Sequence, residues 1–236
     1  MKQLVVISGG TKGIGRAIVH QFASAGFDIV TCARNENELR VLQEEVEKQY
    51  TNCQVFVKHA DLSVKDDVNT FIDFVHKIQQ PVAVLVNNTG TFTPGQTHNE
   101  PDGSLENMIN TNLYSAYYLT RGLVGDMMRR QSGHVFNICS TASIEAYPNG
   151  GSYSISKFAL YGFTKSLREE LKSYGVKVTA ILPGATLTSS WEGVELPEDR
   201  FMKAEDVAKS VWAAYELSKS AVVEELVMRP QLGDIS

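Results

Sequence analysis

Cysteine is scarce in this chain. Cys32, Cys53 and Cys139 lie far apart, and no two of them share metal-ligand spacing. An odd, sparse count speaks against a disulfide scaffold and suits a reducing cytoplasm. No run of Lys and Arg stands out, and 22 basic residues face 27 acidic ones for a formal net charge of −5. Nucleic acid and anionic membranes are therefore not expected partners. Long apolar runs are missing too. The opening MKQLVVISGG has one Lys and a short apolar stretch that ends in Gly, too short for a signal peptide, and no later segment approaches a membrane span. There is no internal repeat and no low-complexity linker, so residues 1–236 read as one domain.

What is present is alternation. Hydrophobic residues make up 43% and charged residues 21%, the balance of a globular protein with a full core. Short apolar runs (QLVVIS, FDIVTCA, CQVFVKH, VAVLVNN, GHVFNIC, VKVTAIL, VVEELVMR) carry Val and Ile on both faces, as buried parallel strands do. Between them lie helix-period segments. Leu39, Leu42 and Val46 form one, and Val64, Val68, Phe71, Ile72, Val75 and Ile78 form another. Later ones run over about Leu105 to Arg130, Ser152 to Tyr174 and Ala204 to Ser218. This order predicts an α/β fold: one Rossmann-type, doubly wound domain with a seven-stranded parallel sheet flanked by helices. The least patterned stretch, 188–203, reads as a loop or lid over a substrate.

The first strand runs into SGGTKGIGRAI. Gly9, Gly13 and Gly15 punctuate a strand-to-helix turn, where glycine permits a tight bend and close approach of a ligand. A helix N-terminus after such a turn is suited to a pyrophosphate. Far downstream, SYSISKFALYGF sets Tyr153 and Lys157 four positions apart, neighbours on one helix face. Such a pair is either packing, ring over aliphatic stem, or chemistry, an ammonium that lowers a phenol's pKa.

The glycine turn resembles the T-G-x-x-x-G-I-G turn of the short-chain dehydrogenases/reductases, with Ser8 where Thr is usual. Further stretches follow in that family's order. NNTG (Asn87 to Gly90) resembles N-N-A-G, and NTNL places Asn112 at the helix-embedded catalytic Asn. NICS resembles N-I-S-S with Cys139 in place of its first Ser, YSISK fits Y-x-x-x-K, and PGATLT resembles P-G-x-x-x-T. The resemblance spans roughly residues 3 to 230.

It implies hydride transfer between a nicotinamide dinucleotide and a ketone or alcohol. Tyr153 would be the general acid/base, Lys157 together with the positive nicotinamide of the oxidised cofactor would lower its pKa, Lys157 would also hold the nicotinamide ribose, and Ser140 would orient the carbonyl. Asn112 would hold a water that links Lys157 to solvent. It assigns the dinucleotide to Gly9, Thr11, Lys12, Gly13, Ile14 and Gly15. Arg34, Asp61, Leu62, Asn88, Gly90, Tyr153, Lys157, Pro183, Gly184, Thr186 and Thr188 complete that set. Asp61 could instead cap a helix. At the end of the second strand Ala33 stands where an acid would bind the ribose hydroxyls, Arg34 follows, and Lys12 adds a cation, which together point to NADP(H).

Phe92, Ala142, Tyr147 and Trp191 are the candidate substrate wall. PGATLTSSW and the C-terminal VVEELVMRPQLGDI resemble bacterial sepiapterin-reductase-like members, which implies a pterin side-chain carbonyl. A 3-oxoacyl-thioester reductase and a non-catalytic dinucleotide sensor stay open as alternatives. The family's usual interface helices imply a homodimer or homotetramer. No metal is expected.

Overall fold

The computed structural model describes residues 2–188 and 196–234. Its centre is one sheet of seven parallel strands in the order β3-β2-β1-β4-β5-β6-β7. The strands are β1 (Leu4–Ser8), β2 (Asp28–Ala33), β3 (Val55–His59), β4 (Val82–Asn87), β5 (Gly133–Ile138), β6 (Val176–Pro183) and β7 (Glu225–Met228). The helices are α1 (Gly13–Ser24), α2 (Glu36–Gln49), α3 (Lys65–Lys77), α4 (Ser104–Ile109), α5 (Ser115–Arg130), α6 (Gly151–Leu171) and α7 (Ala204–Glu216).

The first strand explains why the sheet is covered on both sides. Every residue of LVVIS is buried. Val5 and Ile7 point into a core with Ile18 and Phe22 of α1 and Val207 and Val211 of α7. Leu4 and Val6 point the opposite way, into a core with Phe71 of α3, Leu119 and Leu123 of α5 and Leu167 of α6. A period of two with apolar residues on both faces produces this two-sided burial. Only β7, on the edge, alternates exposed and half-buried residues.

One feature departs from the sequence reading. The helix expected from Leu105 to Arg130 is broken by a π-helical turn at Asn110–Tyr114. The stretch NTNLY has no Gly or Pro, so its local pattern gives no sign of the break. Of the stretch 188–203, read as a loop or lid, residues 189–195 lie outside the described set. Its base is closed by backbone bonds from Leu187 N–H to Met202 O (2.8 Å) and from Met202 N–H to Ala185 O (2.9 Å).

A buried polar chain ties the layers together below the carboxyl ends of the strands. Asn87 and Asn137 are paired residues on β4 and β5. Asn87 Nδ2 donates to Asn137 Oδ1 (2.7 Å) and to Thr120 Oγ1 of α5 (2.9 Å). Asn137 Nδ2 donates to Thr164 Oγ1 of α6 (2.8 Å). Among the described residues no helix is long and apolar enough to cross a membrane.

Candidate active site

The order of strands reverses between β1 and β4, and ligands of such sheets gather in the crevice beyond the strand ends there. A cleft of about 1080 Å³ opens at this point. Its floor is the glycine turn. Gly9 has φ +69°, which L side chains rarely adopt, and a Cβ at Gly15 would lie 2.2 Å from Gly9 O and 2.5 Å from Asn88 Nδ2. The turn is closed by side chains. Asn88 Nδ2 donates to Ser8 O (3.0 Å) and Gly9 O (2.9 Å), and Ser8 Oγ accepts from Asn88 N and Thr89 N (both 2.9 Å). Ser8, the departure from the expected Thr, thus still supplies its hydroxyl.

Helix α1 starts directly behind the turn. Its N-cap, Lys12, makes no side-chain cap bond, and no acidic residue occupies its first turn. Helix N-termini carry N–H groups without intrahelical partners, so this uncapped end fits an anion such as a pyrophosphate. Gly9, Thr11, Lys12, Gly13 and Ile14 line the cleft, whereas Gly15 stands behind it, where its missing side chain lets the helix pack.

The wall at the end of β2 comprises Cys32, Ala33, Arg34, Asn35 and Glu38, and Asp61 and Leu62 follow from β3. Asp61 does not cap α3, whose N-cap is Val64. Its Oδ1 accepts instead from Ser63 N (3.0 Å) and Ser63 Oγ (2.7 Å), a local turn that keeps the carboxylate at the rim. Burial pushes that carboxyl up, but the Ser63 bonds and the nearby Arg34 and His59 charges outweigh it and hold it below its usual range. Lys12 Nζ lies 2.9 Å from Glu38 Oε1, and Thr11 Oγ1 donates to Glu38 Oε2 at 3.2 Å.

The opposite wall carries Ser140, Tyr153 and Lys157. Ser140 leaves the end of β5 and caps a short turn, with its Oγ accepting from Ala142 N at 3.1 Å. That bond uses an oxygen lone pair and leaves the hydroxyl proton to donate elsewhere. Lys157 is 5% exposed and donates to Ile138 O at 2.9 Å. Burial pushes the Tyr153 phenol up, with the Ser140 hydroxyl pulling it down, and burial pushes Lys157 down. The Lys157 nitrogen is 5.8 Å from the Tyr153 ring centroid and is anchored on β5, so desolvation dominates both groups.

Asn112 does not line the cleft. It is fully buried in the π-helical turn, where Oδ1 accepts from Thr91 N (2.8 Å) and Nδ2 donates to Thr91 O (3.0 Å) and Ser156 Oγ (2.8 Å). Both amide protons are used, so its side chain acts as a clamp on the backbone beside Gly90. A Cβ at Gly90 would lie 3.4 Å from both Asn112 Oδ1 and Lys157 Nζ.

Phe92 and Tyr147 line the cleft, as do Pro183, Gly184, Thr186 and Thr188. Ala142 is 1% exposed and turned inward, contributing its N–H to Ser140 rather than a surface to a substrate. Trp191 lies outside the described residues. The sequence reading overlooked Glu38, Glu145 and Asp234, all of which reach the cleft. Arg229 joins the last two, with Nη2 3.2 Å from Glu145 Oε2 and Nε 2.8 Å from Asp234 Oδ2. Only the N-x-x-E cap spacing of Asn35 and Glu38 was a sequence signal for any of them. Among the described residues no cluster of three or more His, Cys, Asp or Glu is placed to hold a metal ion.

Residues 3–199 match the family model described as short chain dehydrogenase. The chain is 32% identical to a sepiapterin reductase of Chlorobaculum tepidum over 243 aligned positions, covering 100% of this chain and 99% of that one. A metagenomic short-chain oxidoreductase solved in complex with NADP is 28% identical, with a TM-score of 0.84 and 97% of each chain covered. An alcohol dehydrogenase of Thermococcus sibiricus, complexed with 5-hydroxy-NADP, superposes over 100% of both chains with a TM-score of 0.92 at 24% identity, a likeness of fold.

Proposed function

The chain belongs to the short-chain dehydrogenase family, and we propose that it is an NADP(H)-dependent carbonyl reductase. The observation that carries this reading is the meeting of Ser140, Tyr153 and Lys157 on one wall of a cleft whose floor is an uncapped helix start. When bound, the dinucleotide supplies the hydride. Thr11, Gly13 and Ile14 would hold its pyrophosphate, and Arg34 with the Lys12 side chain would hold a 2′-phosphate. Asp61 would take the adenine, and Thr186 and Thr188 the nicotinamide end. The neighbour solved with NADP is consistent with Ala33 and Arg34 at the ribose position.

The chain's own groups handle the charge that builds on the substrate oxygen. Ser140, its lone pair engaged by Ala142 N–H, donates a hydrogen bond to the carbonyl oxygen and fixes its direction. Tyr153 gives the oxygen its proton. A phenol raised by burial stays protonated through neutral pH, the state an acid needs in the reductive direction. Lys157, rooted on Ile138 O, keeps donors in reserve for a ribose and for the phenolate left after transfer. Asn112 fixes the Thr91 backbone, so that Phe92 stays against the Tyr153 ring.

For the substrate, a pterin side-chain carbonyl is the reading best supported. The full-length similarity to a sepiapterin reductase favours it. So does the lining of the cleft, which includes the aromatic rings of Phe92 and Tyr147 and the Asp234 carboxylate. Flat rings pack against aromatic side chains, and the N–H edge of an aminopyrimidinone matches a carboxylate. Sepiapterin and an acetoacetyl thioester, each assayed with NADPH on one preparation, test this. Preferential turnover of sepiapterin is expected. Preferential turnover of the thioester would reassign the substrate, and nucleotide binding with no turnover of any carbonyl would reassign the protein as a sensor. The exposed Tyr114 of the π turn and the exposed Ile155 and Phe158 of α6 suit a homodimer or homotetramer, measurable by light scattering.

A further inference from the structure

Glu38 stands in the dinucleotide cleft and has no part in the reaction above. Helix α2 begins after Asn35 with Glu36, Asn37 and Glu38, the spacing of a reciprocal helix cap. In such a cap the first side chain accepts from the third helical N–H, and the Glu carboxylate turns back to the first residue's own N–H. Half of it is built, with Asn35 Oδ1 accepting from Glu38 N at 3.2 Å. The other half is diverted. Glu38 Oε1 lies 2.9 Å from Lys12 Nζ and accepts from Asn35 Nδ2 at 3.2 Å, while Oε2 accepts from Thr11 Oγ1 at 3.2 Å. The carboxylate therefore crosses from α2 to the glycine turn and takes hold of that turn's cation.

We infer that Glu38 is a tethered counter-ion of the 2′-phosphate subsite, holding Lys12 until the phosphate displaces it. The inference rests on the NADP(H) reading above. The cap spacing offers the displaced carboxylate a second position, on the Asn35 N–H. Binding of NADP(H) has to break the Lys12–Glu38 pair, whereas binding of NAD(H) leaves it intact. Glu38 thus sets how far the protein prefers one dinucleotide over the other.

Calorimetric titration of NADP+ and NAD+ tests this on four proteins: the unmutated chain, Glu38→Gln, Lys12→Met and the double variant. Lys12 and Glu38 are 60% and 32% exposed, so Glu38→Gln should tighten NADP+ by about three- to fivefold, the scale of a solvent-screened pair. NAD+ affinity should stay the same. In the Lys12→Met background the gain should vanish, because there is no cation left to release. An equal gain for both nucleotides, a gain that survives Lys12→Met, or no gain at all overturns the inference. If instead the unmutated protein binds NADP+ no tighter than NAD+, the cofactor reading fails, and that result is separate from the behaviour of Glu38.

Discussion

Phe92 sets its ring edge-on against Tyr153, with centroids 4.9 Å apart and planes at 77°. The loop after β4 thereby buttresses the proposed acid. An edge-to-face pair contributes about 0.5–1.5 kcal/mol, so Phe92→Ala should lower kcat by roughly two- to tenfold while NADP+ affinity holds. Tyr153→Phe keeps the ring contact and removes the proton. It should bind NADP+ normally and lose turnover by on the order of 100-fold or more. Steady-state kinetics beside nucleotide titration check both, and near-normal kcat in Tyr153→Phe would falsify the mechanism. For the unmutated enzyme, kcat/KM for reduction should be level through neutral pH and fall as the phenol ionises in alkali, because burial has raised it.

Arg34 tests the cofactor reading. Arg34→Asp places a carboxylate where a 2′-phosphate would lie and where ribose hydroxyls could donate. NADPH should lose on the order of 100-fold in kcat/KM and NADH should gain or hold. Equal losses for both would show that Arg34 acts on the fold and not on the phosphate.

Glu100 is expected to position the catalytic helix. Helix α6 has no side-chain cap of its own. Glu100 supplies one from the loop that carries Phe92, accepting from Ser152 N at 2.9 Å and from Ser152 Oγ. The same loop is joined to the helix start by Gly95 N–H donating to Asn149 O at 3.0 Å. Glu100→Ala should reduce kcat by on the order of tenfold with little change in KM for NADPH. Glu100→Gln, which keeps an acceptor, should recover most of it. The Ser152 bonds hold the Glu100 carboxyl below its usual range, so the cap should persist into mildly acidic solution.

His134 should make the fold acid-sensitive. It is 2% exposed, stacked on Phe136 at 3.9 Å, with Nε2 2.7 Å from Thr179 Oγ1. Burial, aided by Lys177, pushes it from 6.5 to about 3. The folded state therefore refuses a proton that the unfolded chain accepts between those values. Stability is level above about pH 6.5 and declines below it, approaching about 1.4 kcal/mol per pH unit. Urea unfolding of His134→Leu should lose about 2 kcal/mol less than the unmutated protein between pH 7 and pH 5.

Asn137 is the hub of the buried polar chain. Asn137→Ala leaves one N–H of Asn87 without its acceptor, at a cost of about 1–3 kcal/mol, while Thr164 Oγ1 loses an incoming bond but keeps its own to Leu160 O. Denaturant midpoints should fall accordingly. A change under about 0.5 kcal/mol would mean that water replaces the amide.

Much of this molecule was legible in its sequence because the relevant contacts are local or periodic. Both-face burial of LVVIS follows from its composition, and Ser140, Tyr153 and Lys157 sit where a strand end and the next helix must face one cleft. The remainder depends on tertiary placement. Nothing near Glu100 announces that it caps a helix fifty residues away, and Asp234 reaches the cleft only because the tail folds back on Gly184. Ala142 faces inward because its N–H is tied to Ser140. The direction of the Tyr153 shift needs the surroundings of Lys157, which the four-residue spacing does not contain.

The π-helical turn at Asn110–Tyr114 can also be seen as an α-helix carrying one residue more than its period allows. Deleting Thr111 should heal it into a regular helix. The wider turn absorbs its surplus residue, so α4 and α5 would keep close to their present phase, and the bulge that carries Asn112 to Thr91 would be withdrawn. The surplus residue is thus taken up as width and not as phase. It lets one helix serve the packing of α5 and the reach of Asn112, two demands that a uniform period cannot meet together.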